Sequence, residues 1–163
     1  IFCEGYKILQ NPFFHWVPMK PAKGEVLTIE CIGLNLTDEI LNKGIFILPL
    51  SNNTYKVGAT YEWHVLTDTP TEKAKKELEE KLKHVIQIPF TILKHEAGVR
   101  PSVIDRRPII GNHPEHLNIY CLNGFGTKAV MLAPYFAKQF SNHLKNNVEL
   151  NPEIKVSRFY KAL

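Results

Sequence analysis

Apolar residues along this chain recur with period two, then with period three to four, and then with both again. That succession predicts a group of strands, a helix, and a second strand–helix pair. Across Gly24 to Cys31, Leu27, Ile29 and Cys31 fall on one face and Val26, Thr28 and Glu30 on the other, the alternation of a half-buried strand. Ile45 to Leu50 is a continuous apolar run, read as a strand buried on both sides. Tyr55, Val57, Ala59 and Tyr61 then alternate against Lys56, Gly58, Thr60 and Glu62. Tight turns at Asn42-Lys43-Gly44 and Ser51-Asn52-Asn53 separate these runs, which implies an antiparallel meander. The period then lengthens. Thr69-Pro70-Thr71-Glu72 has the form of a capping box with Thr69 as N-cap, and Ala74, Leu78, Leu82 and Val85 make the buried stripe of the helix it opens. Glu72–Lys76, Glu77–Lys81 and Glu79–Lys83 are pairs on its solvated face.

The flanking segments are shorter. Ile1 to Gly5 reads as a buried strand ended by a glycine, and the proline-bounded aromatic run Asn11 to Pro18 as an extended, packed crossing. Phe90 to Arg100 returns to period two, with Leu93, His95, Ala97 and Val99 on one side and Lys94, Glu96, Gly98 and Arg100 on the other. His95 there reads as a packed, hydrogen-bonded residue, with catalysis as the alternative. Asn118 to Leu122 is the last strand. A glycine-punctuated loop, Asn123-Gly124-Phe125-Gly126-Thr127-Lys128, joins it to a helix whose apolar stripe is Ala133, Ala137, Phe140 and Leu144, with Pro134 expected in its first turns. Such a junction aims backbone N–H groups and the positive end of a helix dipole at one point. Upstream, Ala97-Gly98-Val99-Arg100-Pro101 is a rigid arginine-bearing turn, and the two elements are expected to face one ligand pocket. The fold class expected is α+β.

Composition narrows the function classes. With 163 residues, 44% of them hydrophobic, the chain suits a globular domain with a real core. A net charge of +4 with scattered basic residues gives no electrostatic footprint for nucleic acid. No apolar run approaches the roughly 20 residues of a membrane span, and no signal peptide is visible, so a cytoplasmic location is expected. Cys3, Cys31 and Cys121 lie far apart among apolar neighbours and are read as reduced, buried thiols. The seven histidines show no metal-ligand spacing. The start at Ile1, as though in mid-strand, suggests a fragment.

Several stretches together resemble the FAD-dependent amino-acid and amine oxidoreductases, the family of D-amino-acid oxidase, glycine oxidase and sarcosine oxidase. They are Ile1 to Tyr6, Pro21 to Val26, Val57 to Glu62, Ala97 to Pro101, Asp105 to Gly111, and Asn123 to Pro134, in the order of the glycine-oxidase branch. No Gly-x-Gly-x-x-Gly dinucleotide fingerprint occurs. The resemblance therefore implies the C-terminal part of such an enzyme: residues 1–20 from the flavin domain, 21–103 an antiparallel substrate-binding domain, and 104–163 a return to a Rossmann-like flavin domain whose N-terminal half is absent. FAD would belong to the full-length protein and be held poorly by this chain alone. Its exposed flavin-facing surface would favour self-association into a homo-oligomer.

Residue roles follow from the resemblance in the same way. Arg100 corresponds to the arginine that pairs with the substrate carboxylate, with a structural pair to Glu96 as the alternative. Gly124, Phe125, Gly126, Thr127 and Lys128 correspond to the loop along the flavin ring, with an ordinary glycine turn as the alternative. Gly5 matches a glycine that lets backbone approach the cofactor. Phe46 stands where some members place a tyrosine over the substrate, and Thr127 where some carry a second arginine, so glycine itself is not assured as substrate. The implied activity is oxidation of an amino acid or related amine by hydride transfer to FAD, with no obligatory catalytic base assigned. A hydroxy-acid dehydrogenase, or a non-catalytic binding module, is the alternative.

Overall fold

The computed structural model describes residues 1–161 and has the α+β architecture. The chain divides into two compact units, one formed by Ala22–Val99, the other by Ile1–Pro21 together with the chain from Arg100 onward.

In the first unit, strands β1 (Ala22–Glu30), β2 (Leu41–Asn42), β3 (Phe46–Pro49), β4 (Thr54–Gly58) and β5 (Thr91–Arg100) form one sheet in the order β2-β3-β4-β1-β5. The β2/β3, β3/β4 and β4/β1 neighbours run antiparallel. Helix α1 (Glu72–Val85) lies on the face carrying Leu27, Ile29, Ile47 and Val57, all fully buried, and inserts Leu78 and Leu82 between them. Only one face is covered this way. Hence Ile45 and Ile47 are buried while Phe46 and Leu48 are half-buried and Leu50 is exposed, not the two-sided burial expected of that run. Past Gly58 the pairing with β1 continues only as the isolated Lys23–Glu62 bridge, and Tyr61 is exposed.

Helix α1 starts two residues later than its capping pattern suggests. Thr71, extended at φ −124° and ψ 141°, is the N-cap, and its Oγ1 accepts from the Ala74 amide at 3.3 Å. Thr69 is committed elsewhere, its carbonyl accepting from Lys23 Nζ at 2.5 Å. Of the surface pairs, Glu77–Lys81 closes at 2.6 Å and Glu79–Lys83 at 3.3 Å.

In the second unit, β6 (Ile109–Asn112) and β7 (Tyr120–Asn123) make an antiparallel hairpin. Phe2 adds a parallel bridge on Cys121, and Lys155 adds one on Ile110. Both faces of the hairpin are covered. Ile109 and Cys121 pack with Ile8, Phe14, Val17, Val103 and Val156; Ile110, Tyr120 and Leu122 pack against Phe140 of α2 (Ala129–Asn146), Leu150 and Ile154.

Four expectations fail in this unit. The first residues form no buried strand: only Phe2 bridges, Ile1, Cys3 and Glu4 are exposed, and Gly5–Gln10 is a 3-10 turn. Cys3 is thus an exposed thiol, whereas Cys31 and Cys121 are buried, and burial raises the Cys121 thiol to about 12. The run after Asn11 is a chain of turns because Asn11 Oδ1 accepts from the Phe13 and Phe14 amides at 2.9 and 3.2 Å, folding the backbone over itself. In α2 the packed stripe is Phe136 and Phe140, while Ala137 and Leu144 are exposed, because the helix meets the hairpin through its aromatic residues. Pro134 sits in its second turn.

Candidate functional site

The glycine loop is assembled with two distant pieces of its own unit. Asn123, 3% exposed at the end of β7, uses both ends of its amide. Its Nδ2 donates to the Gly5 carbonyl at 2.9 Å, and its Oδ1 accepts from the Gly124 amide at 2.8 Å. The Gly5 turn is thereby tied to the loop across most of the sequence. On the other side, the Gly126 amide donates to the Pro101 carbonyl at 3.2 Å, and Phe125 bridges Ser102 antiparallel. Gly5, the Gly124–Lys128 loop and the segment directly after Arg100 thus converge. Asn123 is the pivot that sequence reasoning passed over. Its signal was an amide placed in a buried strand phase just before a glycine.

The glycines have different reasons to be glycine. Gly124 has φ +78°, and a Cβ there would lie 2.6 Å from Val103 Cγ2 and 3.2 Å from Ile109 Cγ1. A Cβ on Gly126, φ +55°, would come within 2.9 Å of Ser102 Oγ. Packing requires glycine at the first; at the second the contact is a serine hydroxyl that can turn aside, and the positive φ is what favours glycine. Gly5, φ +62°, meets nothing within 4 Å, so space remains for another group to approach its backbone. Within the loop, the amides of Gly124, Gly126 and Lys128 are spent on Asn123, Pro101 and Phe125. Those of Phe125 and Thr127 have no hydrogen-bond acceptor among the described residues. The loop thus directs fewer free donors outward than its glycine content suggests. Helix α2 follows directly, after the 3-10 turn Gly126–Lys128, and its positive end reinforces those two amides. The side chains of Thr127 and Lys128 are exposed.

Arg100 ends β5 and is partly buried. The carboxylate of Glu96, its alternative partner by strand phase, is occupied by Lys94 at 2.7 Å and Lys56 at 3.3 Å. Phe46 belongs to the Ala22–Val99 unit, on the sheet face opposite α1. It pairs in register with Gly58, and a Cβ on that glycine would fall 3.1 Å from the Phe46 ring and 2.6 Å from Val26 Cγ1. The aromatic ring covers the bare glycine across the strands.

A second polar constellation lies on the α1 side of that sheet. Lys23 and Glu25, at 1% and 3% exposure, occupy the strand phase of Leu27 and Ile29. Lys23 Nζ sits 3.2 Å from Glu25 Oε1 and also donates to Thr67 Oγ1 at 3.3 Å. Glu25 accepts from the Thr71 amide at 2.7 Å and the Thr71 hydroxyl at 2.9 Å. His95 Nε2 lies 2.9 Å from Glu25 Oε2 without forming an aligned hydrogen bond. Burial pushes the Glu25 carboxyl up, but the Thr71 and Lys23 hydrogen bonds outweigh it and leave the group below the ordinary carboxylate value. Every strong donor is already used within the fold. The constellation reads as a tie between β1, β5 and the start of α1.

Comparison with known proteins agrees with this architecture. The family model described as FAD dependent oxidoreductase matches residues 1–142. Glycine oxidase of Pseudomonas putida is 30% identical over 132 residues, covering 78% of this chain and 36% of that enzyme. Glycine oxidase of Bacillus subtilis is 27% identical, covering 82% and 36%. The chain therefore spans little more than a third of the length of these relatives. Among solved structures, glycine oxidase from Bacillus cereus superposes with a TM-score of 0.73 at 21% identity, covering 90% of this chain and 42% of that one. Iminodiacetate oxidase from Chelativorans sp. BNC1 gives 0.77 at 20% identity, covering 94% and 45%. On the strength of the matched residues, the chain belongs to the FAD dependent oxidoreductase family.

Proposed function

We propose that this chain supplies the substrate-binding and flavin-facing part of an enzyme that oxidises an amino acid or related amine. The observation that carries the reading is the convergence of Gly5, the Asn123–Lys128 loop and the Arg100-Pro101-Ser102 segment. In this reading Ala22–Val99 is the substrate-binding unit, and the remainder contributes to the flavin domain. Bound FAD supplies the two-electron acceptor. Gly5, with open space above its backbone, and the Phe125 and Thr127 amides are the groups that fit a flat, electron-rich ring. Two N–H donors with a helix start behind them favour negative charge at that edge.

Arg100 then holds the substrate carboxylate. Its planar guanidinium makes two parallel charge-assisted bonds, which fix the orientation of the α-carbon, and Pro101 restricts the backbone that carries it. Phe46, which by the resemblance stands where some family members place a tyrosine, offers no hydroxyl, so a substrate other than bare glycine is favoured. No side chain is assigned the role of obligatory base.

The test is expression of the complete reading frame, followed by a visible spectrum and titration with amino acids and secondary amines. Flavin absorbance that bleaches on anaerobic addition of one of them supports the reading. Full-length protein that carries no flavin, and takes up none when FAD is supplied, would sink it.

A further inference from the structure

At the turn between β6 and β7, His113 is 5% exposed and accepts at Nδ1 from two backbone amides, Glu115 at 3.1 Å and His116 at 3.2 Å. The turn is closed by the His113 amide on the Ile119 carbonyl at 2.7 Å and the Ile119 amide on the His116 carbonyl at 2.9 Å. The imidazole packs edge-on against Phe14 at 5.6 Å, Trp16 at 5.9 Å and Tyr160 at 5.8 Å, and lies tilted 4.9 Å from the His116 ring. Two N–H groups aimed at one nitrogen leave no place for a proton on it. The neutral ring must therefore carry its hydrogen on Nε2.

We propose that His113 is an acid-sensitive latch: a bare Nδ1 holds the β6–β7 turn closed, and protonation there releases it. A proton on Nδ1 would set a donor against the Glu115 and His116 amides and place a charge on a ring that is only 5% exposed, and each of those changes opposes the closed turn. Among the described residues, the charged and titratable groups around the ring are few. The turn itself contributes His116 and Glu115. The C-terminal segment contributes Tyr160, whose hydroxyl lies 2.5 Å from Glu115 Oε1, while Arg158 is turned away onto Asp105 at 3.0 Å. The Asn11–Val17 segment contributes rings, the Phe13 backbone, and His15, whose Nδ1 lies 3.3 Å from the Asn11 carbonyl.

Burial and then His116 push the His113 imidazole below its ordinary 6.5, against weaker opposition from Glu115 and a backbone hydrogen bond with Phe13. A lowered folded value means that the unfolded chain binds the proton first. The latch therefore contributes fully above about pH 6.5 and is lost as pH falls through the depressed value. Strand β7 runs from this turn into the Asn123–Lys128 loop, so release loosens the strand that positions the loop.

Nitrogen-15 NMR of the complete chain tests this without dependence on flavin or substrate. At pH 7.5 the ring shifts should report an Nε2–H tautomer. On acidification, exchange of the Glu115 and His116 amides, corrected for intrinsic pH dependence, should accelerate at least tenfold with the His113 titration. Amides of β3 and β4 should keep their protection. In His113→Asn, whose Oδ1 takes the place of Nδ1 as acceptor but cannot titrate, the acceleration should vanish. An Nδ1–H tautomer, unchanged Glu115 and His116 protection through the ring's titration, a ring neutral until global unfolding, or the same acceleration in His113→Asn would each overturn the proposal.

Discussion

Arg100 and Glu25 show how one strand-and-turn chemistry can serve two ends. Arg100 stands at the end of β5 beside the Pro101–Gly126 contact, whereas Glu25 is consumed inside the sheet by Thr71, Lys23 and His95. Replacing Arg100 with Lys in the intact enzyme keeps the charge but removes the fork. KM should rise by roughly tenfold or more with kcat changed far less, because a loss of about 1.4 kcal/mol in ground-state binding is a factor of ten. Steady-state kinetics decide this, and unchanged KM removes Arg100 from the site. Glu25 predicts a pH effect instead. Its folded value lies below the ordinary 4.5, so its contribution is present above about pH 4.5 and disappears as pH falls through the folded value. Glu25→Gln should lower stability at pH 7 and flatten the acid limb of the unfolding midpoint measured against pH. An acid limb as steep as in the parent chain would contradict that role.

At the scale of elements, the two glycines tied through Asn123 should respond differently to the same change. Gly5→Ala adds a methyl in open space and costs only the left-handed backbone, roughly 1–2 kcal/mol. Gly124→Ala adds the same backbone strain plus a methyl 2.6 Å from Val103 Cγ2, so denaturant titration should show a distinctly larger loss. Equal losses would contradict the packing. These elements also show what the sequence made legible. The alternation of Leu27, Ile29 and Cys31, and the stripe Ala74–Leu78–Leu82, directly encode the β1 and α1 faces of one core. Phe46 is only half-buried and Leu50 exposed because an apolar run does not say how many faces of a sheet are covered. The cap moved from Thr69 to Thr71 because a buried lysine claimed the Thr69 carbonyl, a contact between residues 46 positions apart that no local pattern carries. Likewise, the residue types of the glycine loop were visible, but its spending of amides on Asn123, Pro101 and Phe125 was not.

For the molecule as a whole, the family was legible because six short matches fall in order, and the family match over residues 1–142 spans all six. The chain spans little more than a third of the length of each curated glycine oxidase it matches. Among the described residues no helix is long and apolar enough to cross a membrane, and no group of acidic, histidine or cysteine side chains could hold a metal ion. In the proposed reading the redox chemistry rests on FAD, with Gly5 and the Phe125 and Thr127 amides assigned to the ring and Arg100 to the substrate. The most direct measurement is anaerobic titration of the purified complete reading frame, loaded with FAD, with a panel of amino acids and secondary amines. The account predicts loss of the oxidised flavin spectrum with one of them, and a requirement for much more of it in Arg100→Lys. A flavin that no amino acid or amine bleaches, or bleaching that Arg100→Lys leaves untouched, would contradict it.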